Sequence, residues 1–158
     1  MLARLLVIAV LASSVSRSAG AQVRVTTGLT LEGAKSIVAA AEAEAKRNGW
    51  SMSIAVVDAA GELVFFEKSD MAAPFNADFA VRKARTAARY RRPTKALDSV
   101  VAGGRIQFLA SDALPIEGGV PIVVKGQVIG AVGASGGTAP QDAQVASAGI
   151  AALNTATP

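Results

Sequence analysis

Residues 118–137, GGVPIVVKGQVIGAVGASGG, contain two β-prone runs that meet at Lys125-Gly126 and end in a glycine-rich loop. Two such runs joined by two turn residues are typical of an antiparallel hairpin. The loop leads into Thr138-Ala-Pro-Gln141, which has the Ser/Thr-x-x-Glu/Gln form of a capping box. The stretch therefore predicts a hairpin whose second strand passes through a glycine loop into the N-terminus of a helix.

Three more helices are predicted before this stretch. Thr30 can cap the first, whose apolar residues recur at helical spacing and which is expected to stop at Gly49. The second is predicted over residues 74–92, since Pro93 cannot continue a helix, and Thr94 can cap a short third one. The apolar stripes of the first two helices indicate that each packs by one face.

A second hairpin and one further run complete the predicted sheet. SMSIAVVD (51–58) alternates polar and apolar residues, and ELVFFEK (62–68) is a β-prone run on the other side of a turn. RIQFL (105–109) could be another strand. The sequence therefore predicts one α+β two-layer domain over residues 22–158, with an antiparallel sheet of about five strands and helices packed on it.

Residues 1–21 have the pattern of a signal peptide. Arg4 precedes the apolar run LLVIAVLASSV, which is too short to span a bilayer, and AGAQ supplies a cleavage pattern before Gln22. We therefore expect an exported protein, periplasmic or extracellular, with no stable membrane span.

The composition excludes several kinds of site. The chain contains no Cys and no His, which rules out Ser-His-Asp and Cys-based catalysis, the usual zinc sites and haem ligation by a proximal His. A metal would have to use carboxylates, Tyr, Met or carbonyl oxygens, and the sequence assigns neither metal ligands nor catalytic residues. Without Arg4 and Arg17 the charges of the mature chain nearly balance, so no nucleic-acid partner is expected.

Two local patterns are candidate ligand sites. The loop Ser135-Gly136-Gly137 at the predicted helix N-terminus suits a carboxylate or phosphate, although a strand-to-helix turn needs glycines for its own conformation. The second predicted helix also carries a stripe of four arginines: Arg82, Arg85, Arg89 and Arg92. Their guanidinium groups could bind carboxylates, or they could face solvent or another subunit. Neither pattern decides between these alternatives.

Four segments together carry a resemblance that covers residues 29–153. They are LTLEGAKSIVAAAEAEAKRNGWSMSIAVVDAAGELVFFEKSD (29–70), RKARTAARYRRPTKAL (82–97), LPIEGGVPIVVKGQVIGAVGASGG (114–137) and QDAQVASAGIAAL (141–153). The most specific elements are Lys83-Ala-x-Thr86-Ala, Gly118-Gly119-Val-Pro121 and Gly-x-Ser135-Gly. In this order they resemble the GlcG/HbpS family, which also occurs as the C-terminal domain of PduO-type cobalamin adenosyltransferases.

The resemblance implies a small α+β domain that forms homo-oligomers. In several family members it implies haem binding, sometimes connected with haem or iron sensing and sometimes with haem breakdown, while other members belong to glycolate or diol metabolism. Together with the two local patterns, it indicates the following ligand-binding residues: Lys83, Arg85, Thr86, Arg89, Tyr90, Gly119, Pro121, Ser135 and Gly136.

Three functions remain open at this point. The first is an exported haem- or tetrapyrrole-binding protein in which Tyr90, Met71 or Lys83 coordinates iron, or in which apolar enclosure suffices, because His is absent. The second is an enzyme or accessory protein for a small hydroxy acid such as glycolate, held by Lys83, Arg85 and Ser135. The third is a structural homo-oligomer without a small ligand.

Overall fold

The computed structural model describes residues 27–155, which form four α-helices, a four-stranded antiparallel sheet and one short 3-10 helix. The helices are α1 Leu31–Arg47, α2 Asn76–Tyr90, α3 Thr94–Ala102 and α4 Ala139–Thr155. The strands are β1 Ser53–Asp58, β2 Leu63–Lys68, β3 Gly119–Val124 and β4 Gln127–Ser135. Their order, β2-β1-β4-β3, joins the two hairpins along β1 and β4. The predicted α+β class and both hairpins are confirmed, while the predicted signal peptide, residues 1–21, lies outside the described residues.

The sheet has four strands within residues 27–155, where about five were predicted. RIQFL, the candidate fifth strand, instead enters the 3-10 helix Ile106–Ala110, which contains no buried residue. Ile106 and Leu109 are three residues apart, a spacing that places both side chains on one side of a helical turn rather than on one face of a strand. Ile106 and Phe108 alternate as the residues of a strand do, but the segment forms a helical turn and the sheet does not cover it.

Helices cover both faces of the sheet. On one face α1 and α4 enclose a core that includes Ile54 and Val56 of β1. On the other face the alanines of α2 pack against Ala55 and Val57. Because successive residues of a strand point to opposite faces, this arrangement explains why nearly all of β1 is buried. The sheet therefore lies between two layers of helices, and α2 forms the layer that the predicted two-layer arrangement lacked.

Side-chain hydrogen bonds define how the helices begin. The hydroxyl of Thr30 caps α1, and the side chain of Gln141 accepts a backbone N–H at the start of α4, both as predicted. Thr94 was predicted to cap α3, but Pro93 occupies the cap position. The buried Thr94 hydroxyl instead accepts a hydrogen bond from the Gly119 N–H at 2.9 Å. This hydroxyl therefore connects α3 to the start of β3.

The helix α2 is two residues shorter at each end than the predicted range, 74–92. It ends at Tyr90 because Arg91 adopts a left-handed backbone conformation with a φ of 54°. Within residues 27–155, no helix combines the length and the apolar character that a membrane crossing requires.

The glycines of the opening stretch allow α2 to lie directly on the sheet. Gly119 and Gly133 are paired across β3 and β4. A Cβ at Gly119 would lie 2.3 Å from the backbone oxygen of Lys83, and one at Gly133 would lie 2.1 Å from that of Ala80. No side chain fits within such distances. These two glycines therefore serve helix packing, and they bring Lys83 close to the end of β4.

Candidate functional site

A cleft of about 310 Å³ lies between the first turns of α2 and the glycine loop that follows β4. Four polar side chains at its base are each at most 5% exposed: Asn76, Lys83, Ser135 and Asp142. The rings of Phe75 and Phe79 form part of its wall and meet edge to face, with centroids 5.4 Å apart. The cleft therefore combines a polar base with an aromatic wall.

A buried ion pair forms one side of this base. The ammonium nitrogen of Lys83 lies 2.6 Å from Oδ2 of Asp142 and joins α2 to α4. Gly118, with a φ of 128°, passes so close to this pair that a Cβ would lie 2.8 Å from the ammonium nitrogen. Only glycine suits this combination of backbone conformation and close approach.

The glycine loop already binds a carboxylate, which is the protein's own Asp142. The Gly137 N–H donates to Oδ1 of Asp142 at 2.9 Å. Burial raises the pKa of the Asp142 carboxyl, whereas the Lys83 ammonium and the backbone N–H groups of the loop oppose that rise. An anionic ligand at this loop would therefore compete with Asp142 for the Gly137 N–H group.

The remaining polar contacts hold the cleft in shape. The Ser135 hydroxyl donates to Oδ1 of Asn76 at 3.3 Å and links β4 to the first turn of α2. The hydroxyl of Thr86, which was predicted as a ligand-binding residue, accepts a hydrogen bond from the Leu114 N–H at 2.9 Å. Thr86 thereby fixes the chain segment before β3 against α2.

Two members of the arginine stripe, Arg85 and Arg89, contact the turn between β1 and β2. Nε of Arg85 donates to the carbonyl of Gly61 at 3.1 Å, and Nε of Arg89 donates to the carbonyl of Ala60, also at 3.1 Å. Both arginines therefore hold the β1–β2 turn against α2. Arg82 lies 3.6 Å from Asp78 on the same helix.

Tyr90 belongs to a second group of side chains at the C-terminal end of α2. Its hydroxyl donates to Oδ1 of Asp112 at 3.4 Å, and its ring centroid is 6.3 Å from that of Phe108. Arg89 reaches Oδ2 of Asp112 at 3.3 Å, and the guanidinium of Arg105 lies 5.6 Å from the Phe108 ring centroid. We refer to these five residues as the Tyr90 cluster.

The structure divides the predicted site residues into separate places. Lys83, Ser135 and Gly136 line the cleft. Two others belong to the supporting sheet: Gly119 lies beneath α2, and Pro121 is paired with Ala131 of β4. The predicted Arg89 and Tyr90 lie in the Tyr90 cluster, and Arg85 contacts the β1–β2 turn.

The three predicted iron ligands also lie apart. Lys83, in the middle of α2, is paired with Asp142, and Tyr90 is the last residue of α2. Met71 is 82% exposed at a groove of about 440 Å³ that it shares with Trp50. Within residues 27–155, no three His, Cys, Asp or Glu side chains are grouped so as to hold a metal ion.

Sequence reasoning missed Asn76 and Asp142. The contact between Lys83 and Asp142 spans 59 positions in the chain, so no local pattern reveals it. One signal was present, since Lys83 occurs among the alanines of the α2 stripe and follows their helical spacing. A lysine that is buried in this way requires a partner of opposite charge.

Comparisons with known proteins agree with this fold. Residues 29–151 match the family model "Haem degrading protein HbpS-like". Protein GlcG of Escherichia coli K12 is 49% identical over 108 residues, which cover 68% of this chain and 81% of GlcG.

Two solved structures are similar over most of their length. A double mutant of HbpS from Streptomyces reticuli has a TM-score of 0.79 at 32% identity, over 96% of this chain and 98% of HbpS. PduOC in complex with haem has a TM-score of 0.75 at 27% identity, over 81% of this chain and 96% of PduOC. Because both the family model and the alignment with GlcG cover more than two thirds of the sequence, the chain belongs to the HbpS-like family.

Proposed function

We propose that this protein is an exported haem- or tetrapyrrole-binding protein and that the Tyr90 cluster holds the ligand. The family model that the chain matches is described as a haem-degrading protein, and the similar PduOC structure is a haem complex. One observation of this chain carries the proposal: the Tyr90 hydroxyl donates to the Asp112 carboxylate while the Tyr90 ring lies beside the ring of Phe108. Handling or sensing of haem is the role that we propose for such a site.

The residues present suit haem in three respects. Tyr90 supplies a phenolic oxygen, which is a known type of haem ligand, and Asp112 accepts the hydrogen bond of its hydroxyl. Ile106 and Leu109, within two residues of Phe108 in the sequence, are 63% and 62% exposed and offer apolar contact to a macrocycle. Arg105 carries a guanidinium suited to a propionate. When bound, haem would supply an iron centre for ligand or electron chemistry.

The chain's own residues position and tune the phenol. Arg89 holds Asp112 through an ion pair at 3.3 Å, which keeps the carboxylate next to the Tyr90 hydroxyl. A carboxylate that accepts this hydrogen bond increases electron density on the phenolic oxygen. We therefore assign ligand binding to Tyr90 and positioning to Asp112 and Arg89.

Hemin titration of the mature protein, residues 22–158, followed by absorbance tests this assignment. We expect a saturable Soret band at a fixed ratio per subunit and its loss or shift in Tyr90→Phe, which removes the ligand oxygen and keeps the ring. Met71→Leu is the matched control, because Met71 is an exposed side chain of a haem-ligand type and lies outside the Tyr90 cluster. A Tyr90→Phe protein that titrates like the wild type would contradict the proposal.

Export is proposed from the sequence of residues 1–21 alone. We expect the protein in the periplasmic or extracellular fraction of its host, with a mature chain that begins at Gln22. N-terminal sequencing of the fractionated protein checks both points, and an intact Met1 in the cytosolic fraction would contradict them.

A further inference from the structure

Two side chains at the base of the cleft carry N–H groups for which residues 27–155 provide no acceptor. Asn76 is 5% exposed; its side-chain oxygen Oδ1 accepts from Ser135, and its side-chain nitrogen Nδ2 donates to no described residue. Lys83 has three N–H donors, and its hydrogen-bond partner in this range is Asp142. The base of the cleft therefore contains N–H donors of Asn76 and Lys83 that no described residue uses.

The side-chain amide nitrogen of Asn76 is accessible from the cleft. Within the described residues, the one fully enclosed side-chain atom without a hydrogen-bond partner is the hydroxyl oxygen of Ser53. The Asn76 nitrogen is therefore not sealed inside the protein, and the space that Asn76 lines is the cleft. Since a largely buried donor is unfavourable without an acceptor, an oxygen atom of a ligand would be stabilised here.

The wall of the cleft favours a ligand that carries a flat apolar group next to the oxygen atom bound by Asn76. Phe75 is 59% exposed although it is aromatic, and Phe79 stands edge-on to it. Ala73, Ile116 and Ala139 complete the apolar lining. The volume of about 310 Å³ is at the lower end of the ~300–1,000 Å³ that small-molecule sites occupy, so the ligand would be small.

We infer that this cleft is a second ligand site, separate from the Tyr90 cluster, and that it takes a small carboxylic acid with a flat apolar body. A carboxylate has two oxygens that accept several hydrogen bonds, which matches the free donors of Asn76 and Lys83. The apolar body would pack against Phe75 and Phe79. Arg85 does not contribute to this site, because its side chain contacts Gly61.

Benzoate is the probe, and calorimetric titration and melting temperature of the mature protein are the measurements. Benzoate should bind saturably and raise the melting temperature with concentration, as a ligand of the folded state does. Benzamide, which keeps one acceptor oxygen without the charge, should bind more weakly, and benzyl alcohol should bind weakest. Absence of saturable benzoate binding, or equal binding of all three probes, would overturn the inference.

Two variants locate the binding. Asn76→Asp replaces the free donors by a carboxylate of the same size and should weaken benzoate binding roughly tenfold or more. Phe75→Ser changes an exposed side chain, is therefore expected to fold, and should weaken binding several-fold. Met71→Ser is its matched control, since Met71 is 82% exposed and lies outside the cleft lining. Wild-type affinity in Phe75→Ser and Asn76→Asp would contradict the site.

Hemin provides the test of separateness. Phe75→Ser should bind hemin as the wild type does, and saturating benzoate should leave the hemin titration unchanged. Competition between hemin and benzoate would overturn the assignment of two sites. Failure of the hemin titration alone would contradict only the proposed tetrapyrrole function.

Discussion

Lys83 and Asp142 show how much one residue pair can contribute in this small protein. Both side chains are almost fully buried and lie 2.6 Å apart. Removing charges from water is costly, and the attraction between them offsets that cost only while both partners are present. The pair is therefore expected to specify how α2 and α4 meet more than to add net stability.

Replacement of one partner should be far more harmful than replacement of both. Lys83→Met leaves a buried carboxylate without its ammonium, and we expect the free energy of unfolding to fall by about 3–5 kcal/mol. The double variant Lys83→Met/Asp142→Leu should recover much of this loss. Urea unfolding followed by circular dichroism measures both.

A surface ion pair provides the control for that comparison. Lys95 pairs with Glu117 at 3.0 Å while its side chain is 67% exposed. Lys95→Met should change the free energy of unfolding by no more than about 1 kcal/mol. A double variant as unstable as Lys83→Met would show that the pair does not act as a unit.

The difference in the free energy of unfolding between Lys83→Met and wild type should also increase as the pH rises. Burial raises the pKa of Asp142 above its ordinary value of 3.8, and loss of the ammonium removes a group that opposes this rise. A carboxyl with a raised folded-state pKa contributes stability that is fully present below the unfolded pKa and is lost as pH rises through the folded pKa. The deficit relative to wild type should therefore grow as pH rises above the folded-state pKa of Asp142 in the wild type, which itself lies above 3.8. Unfolding curves across pH check this, and a deficit that shrinks with pH would contradict it.

At the scale of elements, α2 determines where both candidate sites lie. Its first turns border the cleft, and its last turn carries Tyr90. Between them the helix rests on the paired glycines Gly119 and Gly133 of β3 and β4. The distance of α2 from the sheet therefore affects both sites at once.

Gly133→Ala tests this dependence. A Cβ at Gly133 would lie 2.1 Å from the Ala80 carbonyl, so α2 must shift, and we expect a loss of about 1–3 kcal/mol in the free energy of unfolding. Hemin and benzoate affinities should fall together. Gly28→Ala, where nothing lies within 4 Å of the added Cβ, should change neither property, and a Gly133→Ala protein of wild-type stability would refute the packing argument.

At the scale of the whole molecule, several exposed apolar side chains favour association. Leu31, Leu63 and Val123 are each about half exposed, and none belongs to the cleft lining or the Tyr90 cluster. Contact between copies would remove such surface from water, which is favourable in proportion to the apolar area buried. We therefore propose a homo-oligomer.

Sedimentation velocity of the mature protein checks this proposal. We expect one sharp species larger than the monomer, whose stability increases with protein concentration. Polar substitution at Leu63 and Val123 should reduce its size without lowering the helix content. A monomer at all concentrations would contradict the proposal.

Local patterns in the sequence determined the elements of this protein. The capping residues Thr30 and Gln141, the two hairpins and the four helices depend on contacts between residues close in the chain, and each was recognisable by spacing alone. Local patterns failed at two places. RIQFL forms a 3-10 helix because the sheet does not bury it, and the Thr94 hydroxyl accepts a hydrogen bond from Gly119 instead of capping α3. Both of these depend on neighbours that are distant in sequence.

The tertiary structure alone decided the composition of the sites. The pairing of β1 with β4 and the packing of α2 on Gly119 and Gly133 bring Asn76, Lys83, Ser135 and Asp142 together, although the ion pair spans 59 positions. The same packing directs Arg85 and Arg89 to carbonyl groups of the β1–β2 turn. The physical reason is that periodicity reports which face of an element is buried, whereas the partner of a buried charge is chosen by the whole fold.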